Sequence, residues 1–281
     1  MSAMPKLQCY ILDTGYCLAW ESHVLQGGAH RRIACHSLVA LLHHPDHGWL
    51  LWDTGYASRM LEVTRRLPFR LYRYATPLRL NPCLAASAQL AERGLRPRDI
   101  RRVLISHFHA DHIAGLRDFP DAELIATQAA YDDIEHRQGF SALSRAYIPA
   151  LLPDDFRARA TLLPAFAGSI LPGLGPTHDL FGDGSLLLVS LPGHARGQMG
   201  LLVSTERGYV LFAADGCWLR RSVYERRPPS RLTNLIVDDP RAVRTTIDKL
   251  HAFVQACPDV VLVPSHCPDA FAQVVEQHHA G

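Results

Sequence analysis

The sequence has no long apolar run, no Cys-x-x-Cys pair and no marked excess of charge. Its seven cysteines are odd in number and scattered, which argues against a disulfide framework and a cysteine zinc site. They are expected to be reduced thiols. No run approaches the roughly 18 to 20 apolar residues of a membrane span. Because Met1 to Lys6 also lack the features of a signal peptide, a cytoplasmic protein without membrane attachment is expected.

The charge balance excludes another class of partner. The chain has 29 Lys and Arg against 27 Asp and Glu, a net charge of +2 that supplies no broad field for a phosphate backbone. Nucleic acid is therefore not an expected partner. With 281 residues and 48% hydrophobic content, the chain can bury its own core. No linker divides it, so residues 1–281 are expected to form one domain, with insertions at about 56–82 and 139–176 that flank an active-site opening.

Short apolar runs that end in a polar residue recur along the chain. They are rich in Val, Ile and Leu and bounded by Gly or Pro, which is typical of buried strands. The runs are 49–52, 103–106, 186–189, 210–214 and 260–263, and the polar residues that follow them are Asp53, His107, His194, Asp215 and His266. Helices are predicted between them, one from the N-cap Asp239 through Pro240, another over Leu84 to Arg93.

The segment His107-Phe108-His109-Ala110-Asp111-His112 concentrates four potential metal ligands in six residues. Neutral imidazole suits zinc, iron or manganese, and a carboxylate adds charge and can bridge two ions. A surface histidine cluster, with Asp111 as a helix N-cap, is the alternative interpretation. His194, Asp215 and His266 supply the ligands that a two-metal site would still need.

This segment resembles the H-x-H-x-D-H motif of the metallo-β-lactamase superfamily. Asp53-Thr54-Gly55 is similar to an early element of that family, and the later strand-end residues follow in the family's order. The resemblance implies an αββα sandwich, in which two mixed β-sheets pack face to face with helices on both outer faces. It also implies one metal ion held by His107, His109 and His194, a second held by Asp111, His112 and His266, and Asp215 as the bridge.

The resemblance further implies a hydrolase with two divalent ions, zinc by preference, with iron, manganese or cobalt as alternatives. Such ions lower the pKa of a shared water from about 15.7 toward 7, so that a bridging hydroxide could attack a carbonyl or phosphoryl centre. Asp111 or Asp215 could accept a proton during turnover. Asp53 is expected either to orient a ligand imidazole or to cap the turn at Thr54-Gly55.

Within the superfamily the chain looks closest to the quorum-quenching N-acyl-homoserine lactone lactonases, which implies a small lactone or ester substrate. Those enzymes carry a tyrosine three residues after the bridging aspartate, whereas this chain has Trp218, which can donate one hydrogen bond but no proton. Tyr131 and Tyr224 are candidates to replace that tyrosine. The stretch 67–74, with Phe69 and Tyr72, could line an acyl-chain pocket, or form a lid or a homodimer surface.

Two other functions remain open on the sequence alone. One is a phosphodiesterase or thioesterase of the same superfamily. The other, from a different class, is a regulatory protein that binds metal without turning over a substrate.

Overall fold

Two β-sheets and their surrounding helices account for the part of the chain that the structure, a computed structural model, describes: residues 4–270 and residue 272. The strands are β1 (Gln8–Trp20), β2 (Arg32–His44), β3 (Gly48–Trp52), β4 (Leu78–Arg79), β5 (Ile100–Leu104), β6 (Glu123–Thr127), β7 (Ala160–Leu163), β8 (Ile170–Leu171), β9 (Gly175–Asp179), β10 (Leu186–Ser190), β11 (Met199–Thr205), β12 (Gly208–Ala214) and β13 (Val261–Pro264). The α-helices are α1 (Glu21–Val24), α2 (Arg59–Val63), α3 (Arg70–Ala75), α4 (Ala86–Ala91), α5 (Ala110–Ile113), α6 (Gln128–Ile134), α7 (Gly139–Leu143), α8 (Phe156–Arg159), α9 (Arg220–Tyr224) and α10 (Pro240–Ala256).

Both sheets are mixed, as predicted. The first has the strand order β4-β1-β2-β3-β5-β6-β7, antiparallel from β4 to β3 and parallel from β3 to β7. The second has the order β13-β12-β11-β10-β9-β8, in which only β12 and β13 run parallel among the described strands. Part of the segment 139–176 belongs to the sheets, because it contributes β7 and β8.

The core lies between the two sheets, which pack face to face. Alternate residues of a strand point to opposite faces, and β11 shows this directly. Leu201 and Val203 join the main core cluster together with Leu41 and Leu51 of the first sheet. Leu202, between them, joins a second cluster on the other face. Burial on both faces explains why these strands are continuous apolar runs in the sequence.

Helices cover the outer faces, which confirms the predicted αββα sandwich. The apolar stripe of α10, including Leu250, Phe253 and Val254, packs on the outer face of the second sheet. On the first sheet, α4 contacts β1, while α6 and α8 contact β6. Among the described residues, no helix combines the length and the apolar character that a bilayer span requires.

The predicted helices are present, with one difference in bounds. The Asp239 side chain accepts hydrogen bonds from the backbone N–H groups of Arg241 and Ala242, as an N-cap does, and α10 runs from Pro240 to Ala256. The helix predicted over Leu84 to Arg93 is shorter, because α4 covers only Ala86–Ala91 and a 3₁₀ turn, Pro82–Leu84, precedes it.

The strands that end in polar residues deliver them to one edge of the sandwich. β3 and β5 are parallel neighbours, so Asp53 and His107 follow adjacent strand ends. β12 and β13 are parallel neighbours in the other sheet, which places Asp215 beside His266. β10 is separated from β12 by one antiparallel strand and so has the same direction, which brings His194 to this edge as well.

Candidate metal centre

The motif segment forms a turn between β5 and α5. His107 and His109 lie in the connection, and Asp111 and His112 lie in the first turn of the helix. His107, His109 and His112 are all buried, and the His107 ring packs 4.4 Å from that of His109 and 4.1 Å from that of His112, centroid to centroid. Three buried imidazoles in contact are costly unless something satisfies their nitrogens.

The predicted ligand residues fall into two groups, which lie side by side. The first group is His107, His109, His194 and Asp215, and the second is Asp111, His112 and His266. Within each group, one ligand atom per residue lies within 4.8 Å of every other. All seven residues named from the sequence are therefore brought together at one edge.

Asp215 reaches both groups through its two carboxylate oxygens. Its Oδ2 lies 3.1 Å from Nε2 of His194 in the first group and 3.0 Å from Nε2 of His266 in the second. Its Oδ1 lies 3.3 Å from Nε2 of His112. A carboxylate placed between two sets of nitrogen donors has the geometry of a bridging ligand.

Several buried ligand atoms make no hydrogen bond to any described residue, and they fit a metal site. These atoms are His107 Nε2, His112 Nε2 and Asp215 Oδ1. Buried polar atoms are almost always paired, so three such atoms at one centre indicate a missing partner that accepts nitrogen and oxygen ligands. Divalent cations have this chemistry, and the residues present fit them.

The two ligand groups differ in their electrostatics. Burial lowers the pKa of His107 and His109 well below the ordinary value, so both imidazoles are neutral. Burial opposes charge on His112 and His266 too, but the nearby carboxylates outweigh it and raise the pKa of both, that of His266 to about 9. The carboxylates thus give the second group a net preference for positive charge, which a cation would satisfy.

Asp53 and the turn after it hold His112 in place. The Asp53 carboxylate accepts hydrogen bonds from Ser106 and from Nδ1 of His112, the latter across 2.8 Å, which leaves Nε2 of His112 to face the centre. The backbone N–H groups of Thr54 and Gly55 donate to the His112 carbonyl. The contacts of Asp53 are those expected if it orients an imidazole, whereas the Thr54 and Gly55 N–H groups bond to the His112 carbonyl and not to the Asp53 carboxylate, so Asp53 does not cap that turn.

The other ligands are held by neighbouring backbone. His194 follows Gly193, whose carbonyl accepts a hydrogen bond from the N–H of Asp239 at the start of α10. In the second group, the Ser37 hydroxyl donates to the Asp111 carbonyl across 2.7 Å, and Nδ1 of His266 donates to the carbonyl of His36. Ser37 and Ser106 were not identified from the sequence. A hydroxyl beside a motif histidine was the one available signal, and only for Ser106.

A cavity of about 450 Å³ opens onto the centre. Its floor includes His109, Asp111, His194, Asp215 and His266. Its walls are mostly apolar and come from the end of β1, from α3 and from the region around residue 236; they include Leu18, Ala19, Trp20, Val24, Tyr74, Pro77 and Ile236. An apolar cavity with a few polar groups at its floor is the usual form of a small-molecule site.

Of the aromatic residues predicted to contact substrate, Tyr72 and Trp218 line this cavity and three others do not. The Tyr72 hydroxyl lies 3.4 Å from Oδ1 of Asp111, and the Trp218 indole N–H donates to Oδ2 of Asp215 across 2.9 Å.

The remaining aromatic predictions are corrected by their positions. Tyr131 faces the core and stacks on Phe156, with ring centroids 5.3 Å apart. Tyr224 is exposed at the end of α9, and Phe69 packs against the core from outside the cavity. None of these three side chains lines the cavity.

A third histidine and carboxylate cluster lies at the opposite edge, formed by His44, His47 and Asp183. Nδ1 of His44 accepts hydrogen bonds from the backbone N–H groups of Asp46 and His47, so its proton is on Nε2, which donates to Asp183 across 3.0 Å. Both ring nitrogens of His44 are therefore satisfied. This cluster is a hydrogen-bonded link between the two sheets and offers a comparison for the metal centre.

Comparison with known proteins identifies the family. The family model of the metallo-beta-lactamase superfamily matches residues 32–266, a span that contains all seven predicted ligand residues. The chain belongs to the metallo-β-lactamase superfamily. Together with the ligand geometry, membership of this superfamily makes the protein a metal-dependent hydrolase, as its relatives also indicate.

Two curated relatives within the superfamily illustrate the likeness. A probable metallo-hydrolase of Mycobacterium tuberculosis is 27% identical over 257 residues, which cover 85% of this chain and 76% of the relative. The N-acyl homoserine lactonase AttM of Rhizobium radiobacter is 28% identical over 191 residues, which cover 66% of this chain and 64% of AttM.

Solved structures of the superfamily show the same fold. An N-acyl homoserine lactone hydrolase, with the product N-hexanoyl-L-homoserine at its catalytic metal centre, superposes with a TM-score of 0.74 at 18% identity, covering 99% of this chain and 97% of that one. The dizinc quorum-quenching lactonase AidC superposes with a TM-score of 0.63 at 15% identity, covering 95% of this chain and 90% of AidC.

Proposed function

We propose that this metal-dependent hydrolase holds two divalent ions and opens a small lactone ring, of the N-acyl-homoserine lactone type. The observation that carries the proposal is the contact of Asp215 with both ligand groups at the floor of an apolar cavity. The names of AttM and of the structural neighbours support the choice of a lactone.

The seven predicted ligand residues would be shared between two ions. His107, His109 and His194 would bind one ion, Asp111, His112 and His266 the other, and Asp215 both. When bound, two such ions supply Lewis acidity and make water a nucleophile near neutral pH. Zinc fits a donor set of imidazoles and carboxylates, although iron, manganese and cobalt accept the same ligands.

Asp111 is placed to handle the proton. Its carboxylate lies at the cavity floor, with Oδ2 3.6 Å from Nε2 of His266 and Oδ1 beside the Tyr72 hydroxyl. Ring opening requires that a proton leave the attacking water and reach the alkoxide oxygen of the leaving group. A carboxylate that faces the cavity can accept the first proton and return it to the second oxygen.

Tyr72 is the candidate that would contact the substrate carbonyl in place of the tyrosine missing at Trp218. Its hydroxyl faces the cavity floor, and burial, with the charge of Asp111, raises its pKa well above the ordinary value. It is therefore an O–H donor at neutral pH. A fixed donor beside a developing oxyanion stabilises the transition state. The Tyr72 hydroxyl donates to Asp111 over a long 3.4 Å, whereas Trp218 donates its single N–H to Asp215 across 2.9 Å and is the more firmly engaged donor.

The cavity walls suit an acyl chain. The lining residues Leu18, Trp20, Val24 and Ile236 present apolar surface in the cavity that opens onto the metal centre. A hydrocarbon chain that leaves water against this surface gains about 0.8 kcal/mol per buried methylene. The lactone head would lie at the polar floor and the chain along the walls.

A hydrolysis panel with defined metal content tests the proposal. The metal-loaded protein should open N-acyl-homoserine lactones, measured by acid release, in preference to thioesters and phosphodiesters. It should contain about two ions per chain, one for each ligand group. His109→Ala should abolish activity, whereas His47→Ala, in the satisfied cluster at the opposite edge, should not. A preference for phosphodiesters, or full activity with fewer than one ion per chain, would contradict the proposal.

A further inference from the structure

Two cysteines lie in the cavity wall, and the proposed hydrolysis makes no use of them. Cys17 is in β1 and Cys35 in β2, and both line the cavity. Their exposed fractions are 8% and 5%, so only solutes that enter the cavity can reach them. Both are free thiols.

The register of the sheet places the two thiols opposite each other. Cys17 and Cys35 are direct partners in the antiparallel pairing of β1 with β2, so their side chains leave the sheet on the same face. The N–H of Leu18 donates to the Pro77 carbonyl across 3.1 Å, toward β4. The backbone N–H and C=O groups of successive residues point to opposite sides of a strand, so those of Cys17 point toward β2. Cys17 and Cys35 are therefore a pair of the type joined by backbone hydrogen bonds.

That geometry falls within the range of a disulfide. The Cα atoms of a hydrogen-bonded antiparallel pair are about 5.5 Å apart. Disulfides join Cα atoms about 4.4 to 6.8 Å apart, although their Cβ atoms must come closer than in an unlinked strand pair. The bond can therefore form with a small shift of the two strands, and the strain makes it readily reducible.

We propose that Cys17 and Cys35 are a site of reversible oxidation, at which a peroxide converts the two thiols of the cavity wall into a disulfide. In the first step one Cys thiol loses its proton, and the thiolate attacks one peroxide oxygen. The O–O bond breaks, the leaving hydroxide takes up that proton as water, and a sulfenic acid forms. In the second step the partner thiol attacks that sulfur, the S–S bond forms, and a second water leaves. Each sulfur gives up one hydrogen, and the peroxide takes up the two electrons.

A disulfide between Cys17 and Cys35 would affect the cavity and the residues next to it. His36 and Ser37 directly follow Cys35, and their backbone carbonyl and hydroxyl hold His266 and Asp111 respectively. A shift of β2 toward β1 at Cys35 acts on the same stretch of strand. Oxidation thus alters both the wall of the cavity and the support of the second ligand group.

Peptide mapping of the oxidised protein tests this inference independently of any substrate. The full-length protein is treated with stoichiometric hydrogen peroxide, blocked with an alkylating agent, digested and compared with a reduced sample. The expected product is a peptide pair joined through Cys17 and Cys35, two hydrogens lighter than the reduced peptides, and restored by dithiothreitol. Cys83→Ser, which removes an exposed thiol outside the cavity, should leave that product unchanged.

Single variants distinguish this bond from general oxidation. Cys17→Ser and Cys35→Ser should each prevent the linked peptide and leave the partner as a sulfenic acid that dimedone can trap. If the wild-type protein keeps both thiols alkylatable after peroxide, while Cys83 is oxidised, the inference is wrong. It is equally wrong if Cys17 or Cys35 is found linked to a different cysteine.

Discussion

Asp53 accepts a hydrogen bond from Nδ1 of His112 across 2.8 Å, and both side chains are almost completely buried. The contact determines which nitrogen of His112 carries the proton, and so directs Nε2 toward the metal centre. The backbone of Asp53 has an unusual conformation, with a φ of 60° in the left-handed region. Asp and Asn are the side chains that adopt this conformation most readily after glycine.

Asp53→Asn should weaken metal binding without unfolding the protein. Asn has the same shape and tolerates the left-handed conformation, so the main change is the loss of a charged acceptor behind His112. Removal of such a supporting carboxylate lowers metal affinity by about 10- to 100-fold, and competition with a chromophoric chelator measures the change.

Asp183→Asn is the matched control, because it alters the His44–Asp183 hydrogen bond at the opposite edge, in the cluster where both ring nitrogens of His44 are already hydrogen-bonded. Unchanged metal affinity in Asp53→Asn would contradict the supporting role.

Gly193→Ala should both destabilise the fold and disturb His194. Gly193 has a φ of 126°, and an added Cβ would lie 2.3 Å from the backbone N of Val243 at the start of α10. The backbone conformation alone costs about 1 to 3 kcal/mol in a non-glycine residue, and the clash with rigid helix backbone adds to it. A lower melting temperature and a reduced metal content are expected.

Gly208→Ala separates these two effects. Gly208 has a φ of 113° but has open space where the Cβ would lie. It should show the conformational cost only, with normal metal content. If the two variants have the same melting temperature and the same metal content, the close packing at Gly193 contributes neither to stability nor to the metal centre.

Much of the fold was predictable because buried strands and long helices have local signals. The run before Asp53 and the run before Asp215 are β3 and β12, and α10 begins at its predicted cap. Strands β1 and β2 were not predicted. β1 contains Asp13 and a register shift near it, so it does not read as a short apolar run. β2 does contain such a run, 38–42, and that signal was overlooked.

The grouping of the seven predicted ligand residues could be foreseen for the same reason, whereas only Tyr72 and Trp218 of the five aromatic residues named from the sequence line the cavity. Residues that follow strands of the same direction lie at the same edge of the sandwich, so the order of strands and polar residues along the chain is enough to bring them together. Tyr72 lies on the short helix α3, 39 residues from Asp111 in sequence, and only the path of the preceding loop brings its hydroxyl to the centre. The prediction that Tyr131 contacts the substrate was wrong because Tyr131 lies on the buried face of α6.

Tyr72→Phe should lower catalysis while leaving metal content and stability nearly unchanged. Loss of one fixed donor to a developing oxyanion costs about 100-fold in turnover, and kcat should fall more than KM rises. Steady-state kinetics on a lactone substrate measure both.

Tyr74→Phe provides the comparison, because Tyr74 is on the same helix and lines the cavity, but its side chain is 65% exposed. Equal kcat and KM values for the two variants would show that the Tyr72 hydroxyl takes no part in the reaction.

The apolar walls predict a dependence on acyl-chain length. Each methylene that is buried against them should raise kcat/KM by up to about fourfold, the equivalent of 0.8 kcal/mol, until the chain reaches the opening. Ile236→Asp should flatten this dependence, since Ile236 lines the cavity and a carboxylate there would be desolvated by the chain. Leu235→Asp, at the adjacent residue with 87% of its surface exposed, should leave the dependence intact. A series from butanoyl to decanoyl lactones measures the slope for all three proteins, and identical slopes would show that the chain binds elsewhere.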